Sequence, residues 1–338
     1  MTIAFLALAW AMATTPTPPP PPCEACTQGA PRTWLLVVSG VSGEKRFADG
    51  FTEMGTALVA AASARFAIPD SMTWYLAEDS TRDARRIRGR SSKATIMATL
   101  TRMVGQAKEG DRLVVVLMGH GSSQGNESRI NLPGPDMSAG EFAQVLGPSP
   151  ATVIFVNTAS ASGEFIKALS GPRRVVITAT KSAREANETY FPGYFVKALT
   201  SDAGDTDKDG RVSMLEAFTY ARLEVEKRFE TSGLLPTEHP MLDDDGDGTG
   251  HADASDKGPD GRLSRSLHLA PLGGTTLAAD PRAAALIEER RVIEGRIDAL
   301  RAKRSEMTES AYQAALEPLL VALAEKNRAI RALEPKKP

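Results

Sequence analysis

The 338-residue sequence predicts an α/β fold: a mostly parallel sheet with helices on both faces, then an acidic loop region and a C-terminal helical hairpin. Three observations point there. Short, almost wholly apolar runs recur between Trp34 and Thr178, as expected of strands buried on both faces. Segments with apolar residues at helical spacing separate them, as parallel crossovers require. Beyond about Leu235 the pattern changes, first to Asp and Gly, then to two long amphipathic stretches.

Residues 1–13 read as an export signal. The apolar run from Ile3 to Ala13 is too short to span a bilayer, and Ala11-Met12-Ala13 fits a small-x-small cleavage site. No Lys or Arg precedes the run. Residues 14–32 form a Pro-rich spacer, stiff and unsuited to packing. Both cysteines, Cys23 and Cys26, fall in it, and a local disulfide is expected in an oxidising compartment. The expected location is periplasmic or extracellular, with no transmembrane segment after signal removal. A net charge of −2 gives no sign of a nucleic-acid partner.

Within residues 33–232, Trp34 to Val38 is the first expected strand, and Phe47 to Phe66 a helix burying Phe51, Met54, Leu58 and Ala62. Met72 to Leu76 is a second strand. Ser91 or Ser92 caps a helix carrying Ile96, Leu100 and Met103. Leu113 to Met118 is a third strand, and Ser138 caps a short helix with Phe142 and Leu146. Val153 to Val156 and Val175 to Thr178 complete the sheet. Ligand sites of such sheets lie beyond the carboxyl ends of the strands. The segments that follow the strands, Ser39 to Gly43, Gly119 to Ser122, Asn157 to Gly163 and Ala179 to Arg184, therefore border the expected ligand site.

Two of these carry chemistry. The third strand runs into Gly119-His120-Gly121-Ser122, and the fourth into Asn157-Thr158-Ala159-Ser160-Ala161-Ser162-Gly163. A His and a hydroxyl at neighbouring strand ends can meet over one crevice. The first run resembles the His-Gly strand end of caspase-like cysteine peptidases, most closely the legumains. The second is similar to their nucleophile strand, which typically ends Ala-Cys-x-Ser-Gly. The resemblance implies a caspase-like sheet over roughly residues 33–200. It also implies a specificity pocket near Ala179, Thr180, Arg184 and Glu185, and a residue at Ser42 that orients the His. Two departures follow: Ser160 stands where the family has Cys, and Ser42 where legumains have Asn. A serine hydroxyl has no thiolate fraction and needs a well-placed base and an oxyanion hole. Two readings of the crevice stay open. In one, Ser160 attacks, His120 is the base, and the Gly121 and Ser160 amides hold the oxyanion. In the other, a silent relative keeps the crevice to bind a peptide or protein ligand. A non-enzymatic envelope scaffold is a third possibility, separated from these by whether the crevice at His120 is open.

Asp205 to Glu216 matches a twelve-residue EF-hand loop: Asp205, Asp207 and Asp209 at positions 1, 3 and 5, and Gly210 at 6. Arg211 then offers its carbonyl at 7, Ser213 falls at 9 and Glu216 at 12. A hard cation wants six to eight oxygens at once, so Ca2+ is the expected cofactor, in a structural role. Residues 233–279 are Asp- and Gly-rich. Asp243 to Gly248 begins a second such loop that has Ala254 at position 12, with Asp253, Asp256 and Asp260 available downstream. Residues 280–334 form the expected hairpin, capped by Asp280 and Thr308 and interrupted by Pro318; it is a candidate self-association element.

Overall fold

The computed structural model describes residues 31–333 apart from 126, 208, 256, 271–280, 305 and 306. The export-signal and cysteine expectations, and the caps and ligands expected of Asp280 and Asp256, lie outside the described residues.

A seven-stranded sheet forms the centre, mostly parallel and flanked by helices. Its first strands are β1 (Thr33–Ser39), β2 (Thr73–Ala77), β3 (Gly89–Arg90) and β4 (Arg112–Met118). A small antiparallel sheet follows: β5 (Gly121–Gln124), β6 (Glu127–Ile130) and β7 (Met137–Ser138). The remaining strands of the large sheet are β8 (Thr152–Asn157), β9 (Arg174–Thr178) and β10 (Met241–Asp243). Their order is β10-β9-β8-β4-β1-β2-β3. All pairs are parallel except β10 with β9.

The alternation along β1 sets the two layers. Leu35 and Val37 face Phe51 and Leu58 of α1 (Lys45–Ala64), Phe195 of α5 (Phe191–Thr200) and Phe218 of α6 (Met214–Ser232). Leu36 and Val38 face Ile96 and Leu100 of α2 (Lys93–Gln106), Phe142 of α3 (Ala139–Leu146) and Phe165 of α4 (Phe165–Leu169). Ser92 caps α2 by accepting from the Thr95 amide, and Ser138 with Glu141 makes a capping box on α3.

The segment after residue 232, read in the sequence as Asp- and Gly-rich, adds a strand to the sheet. Leu242 of β10 pairs with Ile177 of β9 and is fully buried. The short α7 (Arg262–Ser266) follows, its start held by Asp244, which accepts from the Gly261 and Ser264 amides. Two helices end the chain, α8 (Pro281–Ala302) and α9 (Glu309–Leu333), and they pack against each other around Ala283 and Ile330. Thr308 accepts from the Ala311 amide at the start of α9, which continues through Pro318. No helix among the described residues is long and apolar enough to cross a membrane.

Candidate functional site

The β4–β8 pairing puts His120 and Ser160 just past the carboxyl ends of neighbouring strands. His120 leaves β4 at steep edge-to-face angles to two α1 rings, Phe47 at 4.5 Å and Phe51 at 5.7 Å between centroids. Its Nε2 lies 3.2 Å from the Ser42 carbonyl oxygen. A carbonyl only accepts, so Nε2 is the donor, and in the neutral ring the lone pair then falls on Nδ1.

Ser42 thus orients His120 through its backbone, where the resemblance implies a side chain. Its hydroxyl is turned away: the Ser42 amide and hydroxyl both donate to one oxygen of Glu78, at 2.9 and 2.7 Å. Glu78 stands one residue past β2, a strand end that sequence reasoning passed over. The only available signal was its place in the row of strand ends.

Ser160 is 3% exposed. The Gly121 amide donates to its hydroxyl at 3.1 Å, and the hydroxyl donates to the Gly121 carbonyl at 3.3 Å. Among the described residues these are its hydrogen bonds; none joins it to His120. Gly121 must be glycine, because a Cβ there would sit 2.1 Å from the Ser160 carbonyl oxygen. The next residue, Ala161, has φ +51°, a left-handed backbone that costs a non-glycine residue about 1–3 kcal/mol and concentrates at functional turns. Its amide donates to the Glu185 carbonyl at 2.7 Å, which holds that turn.

The residues implied for a specificity pocket are engaged elsewhere. Ala179 and Thr180 are fully buried, and the Thr180 hydroxyl pairs with Ser162. Glu185 takes His239 Nδ1 at 2.5 Å and the His239 amide at 3.2 Å. Arg184 is exposed. None of the four lines the cleft that does open at His120. That cleft, about 230 Å³, lies between α1 and the start of α5 and is lined by His120, Ser160, Phe47, Met54, Tyr190 and Pro192. The start of α5 is fixed by Glu238, 2% exposed, which accepts from the Tyr190 and Phe191 amides. Burial, reinforced by the nearby Glu185 charge, pushes the Glu238 carboxyl up to about 7.

The 205–216 loop gathers part of its expected ligand set. Carboxylate oxygens of Asp205, Asp207 and Asp209 lie within 4.8 Å of one another, hard donors of the kind calcium takes. Gly210 has φ +87° at the sharp turn. Burial and the surrounding Asp209, Glu216 and Asp205 charges raise the Asp207 carboxyl. Glu216 is folded back: one oxygen accepts from the Thr206 and Asp207 amides, the other from the Ser213 amide and hydroxyl. Arg211 contributes a side chain the motif does not call for, a 2.9 Å ion pair with Asp209. In the later Asp-rich segment, Asp260 joins Asp243 and Asp245 in a second carboxylate cluster. Asp260 is fully buried and binds His251 Nδ1 at 2.6 Å.

No family model matches the sequence, and no curated protein matches it. Solved structures do match. One is protein GSU0716 from Geobacter sulfurreducens, at 12% identity and TM-score 0.42, over 63% of this chain and 93% of that one.

Proposed function

We propose that the domain is an exported, catalytically silent relative of the caspase- and legumain-type peptidases. It uses the His120/Ser160 crevice to bind a peptide, with calcium as a structural ion in the 205–216 loop. One observation carries the silent reading: the Ser160 hydroxyl is committed to Gly121 on both sides, at 3.1 and 3.3 Å. A serine nucleophile needs its base within hydrogen-bond reach and free amides for the oxyanion. Here the Gly121 amide points at the hydroxyl itself. The open cleft beside His120 favours a ligand-binding role over a scaffold.

Other features expected of such a site remain. His120 has an orienting partner at Nε2 and, among the described residues, none at Nδ1, and both strand-end glycines stand in place. The missing element is a group that ionises easily. Ser160→Cys supplies it, since a thiol beside a base reaches its nucleophilic form far more readily than an alcohol. The expected outcome is covalent labelling at position 160 by an electrophilic peptide, read by peptide mass spectrometry. Ser160→Cys with His120→Ala should stay unlabelled. If wild type already cleaves fluorogenic peptides and Ser160→Cys lowers that rate, the protein is a serine hydrolase and the silent reading is wrong.

A further inference from the structure

We infer that the cleft beside His120 accepts one aromatic, uncharged side chain of an extended peptide, seated between α1 and α5. The inference rests on the reading of the crevice as a peptide site and names what that site selects. Size sets the first limit. At about 230 Å³ the cleft falls below the roughly 300–1,000 Å³ of sites that enclose a whole drug-sized ligand, so it suits a single side chain.

Charge sets the second limit. The charged wall residues are Arg46 and Glu188, which pair with each other at 3.1 Å, and Arg46 also pairs with Glu44 at 3.0 Å. An incoming carboxylate therefore meets a compensated guanidinium. An incoming cation meets competition: the Arg46 guanidinium already sits 4.1 Å over one face of Phe47, and that of Arg228 lies 3.8 Å over one face of Tyr190. A buried carboxamide needs several hydrogen-bond partners. The Ser160 hydroxyl is engaged with Gly121, and the Thr189 hydroxyl donates to the Thr158 carbonyl at 2.8 Å. Apart from His120 Nδ1 and the Tyr190 hydroxyl, too few to satisfy a carboxamide fully, what remains is apolar and aromatic surface, which favours an aromatic ring.

Space sets the third. Gly50 of α1 and Gly193 of α5 both line the cleft, and a Cβ built on either meets no atom within 4 Å. Leucine at either position should therefore fold and fill the slot.

The test uses the full wild-type chain with 13C-methyl-labelled methionine, the Met54 signal being assigned from Met54→Leu. N-acetyl-phenylalanine amide should half-saturate the Met54 shift at a concentration at least about tenfold below N-acetyl-asparagine amide or N-acetyl-arginine amide. Gly50→Leu and Gly193→Leu should each weaken that response by about tenfold or more. Equal responses, a preference for the amide or the cation, no Met54 response, or indifference to both leucines would each overturn the proposal. The readout is independent of nucleophile chemistry. Selective probe binding without His120-dependent labelling of Ser160→Cys keeps the slot and removes the silent-peptidase reading. Labelling without side-chain selectivity does the reverse.

Discussion

His120 is held by a carbonyl that is itself held by a carboxylate. Glu78 accepts two hydrogen bonds from Ser42, through the amide and the hydroxyl, and so fixes the residue whose carbonyl oxygen accepts from His120. Glu78 is a positioning residue: it acts on the imidazole through Ser42. The consequence is a defined tautomer, with the proton on Nε2 and the lone pair on Nδ1. In wild type, 15N NMR of His120 should show that tautomer dominant. Glu78→Ala should release the Ser42 carbonyl and mix the two forms, whereas Glu78→Gln, whose amide oxygen still accepts, should preserve most of the wild-type ratio. An unchanged ratio in Glu78→Ala would remove Glu78 from the arrangement. Position 42 was legible in the sequence as the end of the first strand. Its mode of action was not, because every residue carries a carbonyl and side-chain identity says nothing about which oxygen is used. Ser160 was legible from its strand end, but its partners were not. They depend on the approach of β4 and β8, which only the register reveals.

Among elements, α5 shows how a distant residue completes a helix. It begins at Phe191 with Tyr190 as N-cap, a residue with no capping oxygen for the first amides. Glu238 supplies the acceptor from 48 residues away. The local sequence carries no signal for this cap. The cap is buried near Glu185, His239 and Arg228, and burial holds its carboxyl at about 7 against an ordinary 4.5. A raised carboxyl pKa means that the folded state holds the proton more tightly than the unfolded chain. This contribution to stability is therefore full below about pH 4.5 and is lost as pH rises through 7. Glu238→Gln keeps an acceptor for Tyr190 and removes the charge. Denaturant unfolding should show that variant gaining on wild type between pH 5 and pH 8, by on the order of 2 kcal/mol. Parallel pH curves for the two proteins would show that Glu238 does not titrate in this range.

Across the whole molecule, the parts legible in the sequence are those buried on both faces. β1, β2, β4, β8 and β9 form a contiguous parallel block apart from the chain order, and each is a largely apolar, buried run. The additions at its edges are too short for any periodicity: β3 has two residues and β10 three, and β5 to β7 are partly polar. β10 matters most, because it ties the Asp-rich segment to β9 and brings Asp260 to Asp243. The 205–216 loop is a second tie. Asp209 pairs with Arg211 within the loop at 2.9 Å and approaches Arg290 of α8 at 3.9 Å. Two arginines thus offset part of the charge that three close carboxylates create. A calcium ion would do so more completely, drawing Asp209 away from Arg211 and Glu216 from the backbone amides it now accepts. Only the folded chain presents the cluster, so calcium should stabilise the whole fold by mass action, about 2.7 kcal/mol at one hundred times its dissociation constant. For a chain of this size that is a rise of several degrees in melting temperature. Calorimetry with millimolar calcium against chelator should show it. Glu216→Gln should abolish the gain, because it removes the charge at the closing position while retaining an oxygen for the Ser213 cap. Magnesium, which demands tighter octahedral geometry and gives up water reluctantly, should give a smaller shift. If calcium leaves the melting temperature unchanged, the arginine-compensated loop is the finished structure. The carboxylates of Asp205, Asp207 and Asp209 then serve only to shape the turn into α6.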